Sequence, residues 1–189
     1  MTEITVDAVE LTPALRRFIL HWGDLGGEWG VNRSVAQIHA LLFVADRPLT
    51  AEAIAETLSL ARSNVSNSLR ELTAWDLVRR EPILGDRRDH FVAEGDVWEM
   101  AARIVAMRKA REFDPAAAVL RACVAEARRD GKTQSVALGR LAELEDFVAT
   151  LDGWYGQMRA VPKSTLLPII RLGARIVDLA KPFLKKNPE

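Results

Sequence analysis

Residues 60–72 read LARSNVSNSLREL, and no other stretch restricts the fold of this chain as strongly. Ser63, Asn64, Ser66, Asn67 and Ser68 crowd into a segment otherwise made of good helix formers. Such residues are poor in helix interiors because their side chains compete for backbone hydrogen bonds. The segment is therefore either a loop or a helix whose surface must hydrogen-bond to something outside the protein. Projection at the helical period decides between them. Val65, Leu69 and Leu72 fall on one face with Ala61 beside them, the stripe of a helix packed on a core. Ser63, Ser66, Asn67 and Arg70 lie on the opposite face, and Arg62 and Asn64 flank the first turn. The pattern predicts a helix over 61–75 with a surface rich in donors and acceptors.

The preceding residues predict a partner helix over 51–58, with Thr50 as its cap, and a short connector Ser59-Leu60-Ala61. Ile54, Ala55, Leu58, Leu60 and Val65 occur at the intervals of a helix-turn-helix, where apolar residues lock two crossing helices and a small residue lets them approach. Ser59 stands where the turn usually carries glycine. A recognition helix needs short polar side chains because its backbone must enter the major groove. Asn can pair with adenine and Arg with guanine, while Ser reaches phosphate oxygens. A merely solvated helix would favour Glu, Lys and Gln.

After Trp75 the pattern changes to two short strands, LVRREPI and HFVAE, joined by LGDRRD. Gly85 and the aspartates are turn chemistry. Arg87 and Arg88 at the hairpin tip suit a minor groove or a phosphate backbone. Asp86 and Asp89 are expected to pair with arginines and hold the tip. Residues 62–90 contain six arginines (62, 70, 79, 80, 87, 88) against five acids (71, 76, 81, 86, 89), a balance of +1. Affinity for DNA rests largely on neutralised phosphates. One such unit would bind weakly, which argues for two units on half-sites about one helical turn apart, an inverted repeat.

The other predicted helices cover 13–29, 33–45, 95–112, 114–130, 133–160 and 164–184. Leu15, Phe18, Ile19, Trp22 and Leu25 stripe the first, and Gly23, Gly26, Gly27 and Gly30 weaken its second half. Asn32 or Ser34 starts the second, Asp114-Pro115 is read as a cap with a proline behind it, Gly131 as a helix end and Thr133 as the next cap. The fold class expected is mainly α: a winged helix-turn-helix with a two-stranded β wing and flanking dimerisation helices. The domains are 1–32, an N-terminal dimerisation helix region; 33–94, the winged helix-turn-helix; and 95–189, a C-terminal helical region for dimerisation and a possible effector.

Composition narrows the function. Acidic and basic residues balance at 26 each, which argues against a chain that coats nucleic acid indiscriminately but leaves room for a local DNA-binding face. One cysteine, Cys123, forms no internal disulfide and suits a reducing compartment. The acidic N-terminal residues lack the order of a signal peptide, and no apolar run reaches membrane-span length. A cytoplasmic protein is expected. His21, His39 and His90 are isolated from one another and from the cysteine, so neither a metal site nor a cofactor is expected.

The segment AEAIAETLSLARSNVSNSLRELTAWDLVRREPILGDRRDHF resembles the MarR-type winged helix-turn-helix repressors. Within them it is most similar to the GbsR-type regulators, named for a choline-responsive repressor of glycine betaine synthesis. The resemblance runs from about Trp22 to about residue 130, and SNVSNSLREL, DLV and GDRRDH carry it most specifically. It implies a homodimer with intertwined terminal helices. It implies that Arg62, Ser63, Asn64, Ser66, Asn67 and Arg70 face DNA, with Arg87 and Arg88 in the wing. The Asp-x-Arg pattern of MarR wings matches Asp86 and Arg88. The effector does not carry over.

Beyond that stretch, Leu141, Leu144, Phe147, Val148, Leu151, Trp154, Tyr155 and Met158 form a broad apolar stripe, read as core plus dimer interface. A sharper alternative is an inducer pocket, with Trp22, Trp29, Trp98, Trp154 and Tyr155 as aromatic walls for a quaternary ammonium ligand. The basic, apolar end, with Lys163, Arg171, Arg175, Lys181, Lys185 and Lys186, fits a dimerisation helix better than a membrane-surface helix. Cys123 is read as a buried small hydrophobe rather than a redox sensor. The function expected is a sequence-specific DNA-binding transcriptional regulator, a homodimeric repressor with a possible small-molecule effector, and not an enzyme. The alternative is a winged-helix protein-interaction module without DNA binding.

Overall fold

The computed structural model describes residues 8–172. They form two compact units that divide between Arg108 and Lys109. The first holds α1 (Pro13–Glu28), α2 (Arg33–Val44), β1 (Leu49–Thr50), α3 (Ala51–Leu58), α4 (Arg62–Ala74), β2 (Val78–Arg80), β3 (His90–Ala93) and α5 (Val97–Arg108). This is a winged helix-turn-helix with helices before and after it.

Local chemistry sets most boundaries. The Thr12 hydroxyl accepts from Leu15 N at 3.3 Å and starts α1, with Pro13 at its first position. Asn32, not Ser34, caps α2, its Oδ1 accepting from Ser34 N at 2.9 Å. Thr50 accepts from Ala53 N at 3.1 Å and starts α3. The glycines of α1 do not end it. A Cβ on Gly26 would lie 2.5 Å from Ala36 Cβ, so glycine there lets α1 and α2 approach closely.

Ile38, Leu41, Ile54, Val65 and Leu72 are fully buried in the core beneath these helices, with Ile19, Leu69 and Phe91 against them. The wing is a three-stranded antiparallel sheet in the order β1-β3-β2, not a two-stranded ribbon. Val78 pairs with Ala93 and Arg80 with Phe91, while Leu49 pairs with Phe91 on the other side. The strand missed by periodicity has two residues, too few to show an alternation. Thr50 ends it and caps α3 at once.

The second unit begins with a π-helical turn, Lys109–Phe113, and continues through α6 (Asp114–Asp130), α7 (Ser135–Ala160) and α8 (Lys163–Leu172). Asp114-Pro115 was expected to cap a new helix; instead α6 follows the π turn without a break. Proline lacks the N–H that would bond back one turn and its ring crowds that carbonyl. A π turn absorbs the misfit. Gly131 does end α6, in the left-handed region at φ +62°. Thr133 does not cap α7. Its hydroxyl is already committed to Asp130 Oδ2 at 2.9 Å, and Gln134 holds the cap position.

α6 and α7 pack as an antiparallel pair. Lys109 Nζ reaches Asp114 Oδ1 at 2.5 Å and Asp152 Oδ1 at 2.7 Å, while Arg128 meets Glu145 at 3.5 Å toward the other end. Two carboxylates, with the hydrogen bond to Asp114 foremost, raise the Lys109 pKa. Among the described residues of this unit, Ala117 and Val124 are the buried apolar side chains. Cys123 is exposed, not buried. It precedes Val124 by one residue, and one helical step turns it off the packed face. The helix expected over 164–184 is seen to Leu172; its remainder, and the basic residues Arg175, Lys181, Lys185 and Lys186, lie outside the described residues.

Candidate nucleic-acid interface

α4 places its stripe as projected: Val65, Leu69 and Leu72 are buried, and Arg62, Ser63, Ser66, Asn67 and Arg70 are exposed. Arg70 Nη1 donates to Asn67 Oδ1 at 3.0 Å, which lines the two side chains up on one surface. The turn before the helix is left-handed at Ser59, φ 53° and ψ 43°. Leu60 N donates back to Ala55 O at 2.9 Å across it.

Two of the polar residues turn inward. Ser68 is buried and donates to Asn64 Oδ1 at 3.4 Å. Asn64 is half-buried, and its Nδ2 donates to Ser34 Oγ at 2.9 Å. The Ser/Asn crowding therefore serves two ends, an outward surface and a polar tie between α4 and α2.

The wing is held by ion pairs. Arg88 Nε lies 3.0 Å from both Asp86 carboxylate oxygens, and Arg88 N donates to Asp86 Oδ1 at 2.9 Å. The Arg88 guanidinium, with help from its backbone N–H, holds the Asp86 carboxyl well below the usual carboxylate range. Arg80 meets Asp89 at 3.4 Å, and Arg79 pairs with Glu81. Arg87 is exposed at the tip. At the base, Arg103 of α5 donates to the carbonyl of Asp76 and pairs with Glu94 at 3.2 Å, which fixes the wing against the end of α4.

Ser66 and Arg70 of α4 line one open groove of about 590 Å³ with Arg80 and Arg88 of the wing. Glu52 of α3 also lines it, and its carboxylate pairs with Arg62. Glu52 and Arg80 are participants the sequence reading did not single out. Strand alternation groups Arg80 with buried Val78 and so gave no signal for it, although both arginines of β2 are exposed. Nothing local offered one for Glu52, whose partner lies across the helix-turn-helix.

A second concavity of about 120 Å³ sits between α1, α2, α4 and α5. Trp22, Trp29 and Trp75 line it with His39. His39 is 3% exposed and its Nε2 has no hydrogen-bond partner. Burial lowers its pKa to about 4. Of the five aromatic residues considered for a cage, Trp22 and Trp29 share this cavity. Trp98 is partly exposed on α5 and is not among the lining residues; Trp154 and Tyr155 belong to the second unit. Among the described residues, no helix is long and apolar enough to cross a membrane.

Residues 29–89, which run from before α2 through β2 and the loop that follows it, match the family model of the MarR family. No curated protein matches the chain at a significant level. Among solved structures, the chain is similar to a transcriptional regulator at 18% identity, over 77% of this chain and 95% of that one, with a TM-score of 0.59. A S. aureus MepR variant bound to an oligodeoxyribonucleotide is 19% identical over 75% of this chain and 99% of its own, with a TM-score of 0.36. A second MepR variant, from a multidrug-resistant S. aureus clinical isolate, is 18% identical over 76% and 99%, also at 0.36.

Proposed function

We propose that this chain is a sequence-specific DNA-binding transcriptional regulator, acting as a homodimeric repressor on an inverted-repeat operator. The observation that carries the reading is the groove shared by Ser66 and Arg70 of α4 with Arg80 and Arg88 of the wing. In this reading α4 enters the major groove. Asn67 and Arg70 read base edges, Arg62, Ser63 and Ser66 reach phosphates or nearby bases, and Arg87 and Arg88 grip the flanking minor groove. Asn64 acts by fixing the angle of α4 through Ser34. Residues 33–94 are the reading body, and 1–32 and 95–189 serve dimerisation. The chemistry asked of these groups is binding, not catalysis, and the site of action is the cytoplasm. The GbsR-like branch is assigned on the resemblance of the α4–wing segment.

The dimer is supported by α7. Leu144, Phe147, Leu151 and Trp154 recur at alternating spacings of three and four and are exposed, Phe147 by 58% and Trp154 by 59%. That spacing is the seam of paired helices, and a unit with two small buried apolar side chains needs such a seam covered. A small-molecule response is supported by the cavity lined by Trp22, Trp29, Trp75 and His39. Its lining includes Arg108 and no carboxylate, which suits a neutral or anionic apolar ligand better than a quaternary ammonium ion.

Selection of bound sequences from a random duplex pool, at stated salt, tests the proposal. An enriched inverted repeat supports a dimeric reader. A folded protein that enriches nothing and shows no salt-dependent binding supports the interaction-module reading instead.

A further inference from the structure

The wing tip is built in a way that phosphate contacts do not explain. Asp86 N donates to Ile83 O at 3.1 Å, closing a tight turn over Leu84 and Gly85. Gly85 has φ +86°, so the turn is type II and needs glycine at its third position. The position before it carries Leu84, which is 103% exposed; Ile83 beside it is 40% exposed. Arg87 and Arg88 follow two residues later, after Gly85 and Asp86. The turn is braced from behind, because the Asp86 carboxylate accepts from the backbone N–H and the guanidinium of Arg88. Leucine has no turn chemistry to recommend it here. A single exposed leucine needs no explanation by itself. A fully exposed leucine at the apex of a braced turn, with two arginines following the turn, is a preorganised apolar tip.

We propose that Leu84 is an apolar wedge that the wing inserts against base or sugar surface in the minor groove of bound DNA, with Arg87 and Arg88, just after the turn, drawing the tip to the adjacent phosphates. The inference rests on the DNA-binding reading. Apolar side chains that press between base steps unstack them and bend the duplex. Because the tip is braced before binding, little ordering opposes insertion. Leu84 would thus read deformability rather than base identity, favouring flexible pyrimidine–purine steps under the wing.

The full-length chain and its Leu84→Ala, Leu84→Met and Arg87→Ala variants would be compared on duplexes taken from the random pool. The readouts are affinity, its salt slope, duplex bending by end-to-end energy transfer, and Tm. Leu84→Ala should lose roughly tenfold in affinity, with reduced bending, an unchanged salt slope and an unchanged Tm. Leu84→Met should recover most of both losses. Arg87→Ala should instead flatten the salt slope by about one unit. Equal affinity and bending for wild type and Leu84→Ala would overturn the wedge and leave the DNA reading intact. A wild-type chain that binds no duplex would overturn both.

Discussion

The Nδ2 of Asn64 donates to Ser34 Oγ at 2.9 Å and so ties the first turn of α4 to the first turn of α2. Exposed Asn67 and half-buried Asn64, three residues apart on the same helix, therefore have different tasks. Asn64→Ala should destabilise the fold by about 1–2 kcal/mol, visible as a lower urea midpoint. Asn67→Ala and Arg70→Ala should leave that midpoint within about 0.5 kcal/mol and weaken binding to a selected duplex by about 1–3 kcal/mol. If either variant kept wild-type affinity, the role assigned to that residue would be wrong.

Arg62 is paired with Glu52 across the helix-turn-helix. A phosphate must compete with that carboxylate for the guanidinium. Glu52→Gln should therefore tighten DNA binding several-fold and steepen its salt slope by up to about one unit. Stability should change little, because Arg62 is largely solvent-exposed and Glu52 is half-buried, so the pair stays in contact with water. Weaker binding by Glu52→Gln would mean that the carboxylate positions Arg62 rather than withholding it.

Ser59 holds a left-handed conformation that glycine adopts without strain. Ser59→Gly should raise stability by up to about 1 kcal/mol. Thermal unfolding would show the gain, and a lower Tm would indicate that the Ser59 side chain supports the turn in a way its backbone geometry does not reveal.

His39 is buried with its pKa lowered to about 4 from 6.5. The unfolded chain takes up this proton first as pH falls. The contribution of His39 is therefore fully present above about pH 6.5 and lost progressively toward pH 4, an effect of about 3 kcal/mol. Urea unfolding at pH 7 and pH 4.5 should show the loss in wild type and a much smaller one in His39→Phe. An equal loss in both would place the acid sensitivity elsewhere.

What the sequence determined by itself was the class of fold and the outward surface of α4. Helical period is a local property, so Val65, Leu69 and Leu72 mark the buried face and Ser66, Asn67 and Arg70 the open one before any tertiary contact is considered. The departure at Ser59 was legible for the same reason, since a turn's backbone demands act over a few residues. What only the tertiary structure decided depends on partners distant in the chain. Asn64 lies at the margin of α4 in projection, and the approach of Ser34 turns it inward. β1 has two residues and no pattern of its own; it is a strand because Phe91 and His90 pair with it. Glu52 meets Arg62 only because two helices cross, and Trp22, Trp29 and Trp75 line one cavity only because α1, α2 and α4 pack around it. Periodicity records which face of an element is apolar. It carries no information on which other element covers that face, and that covering sets the environment of every side chain at the boundary.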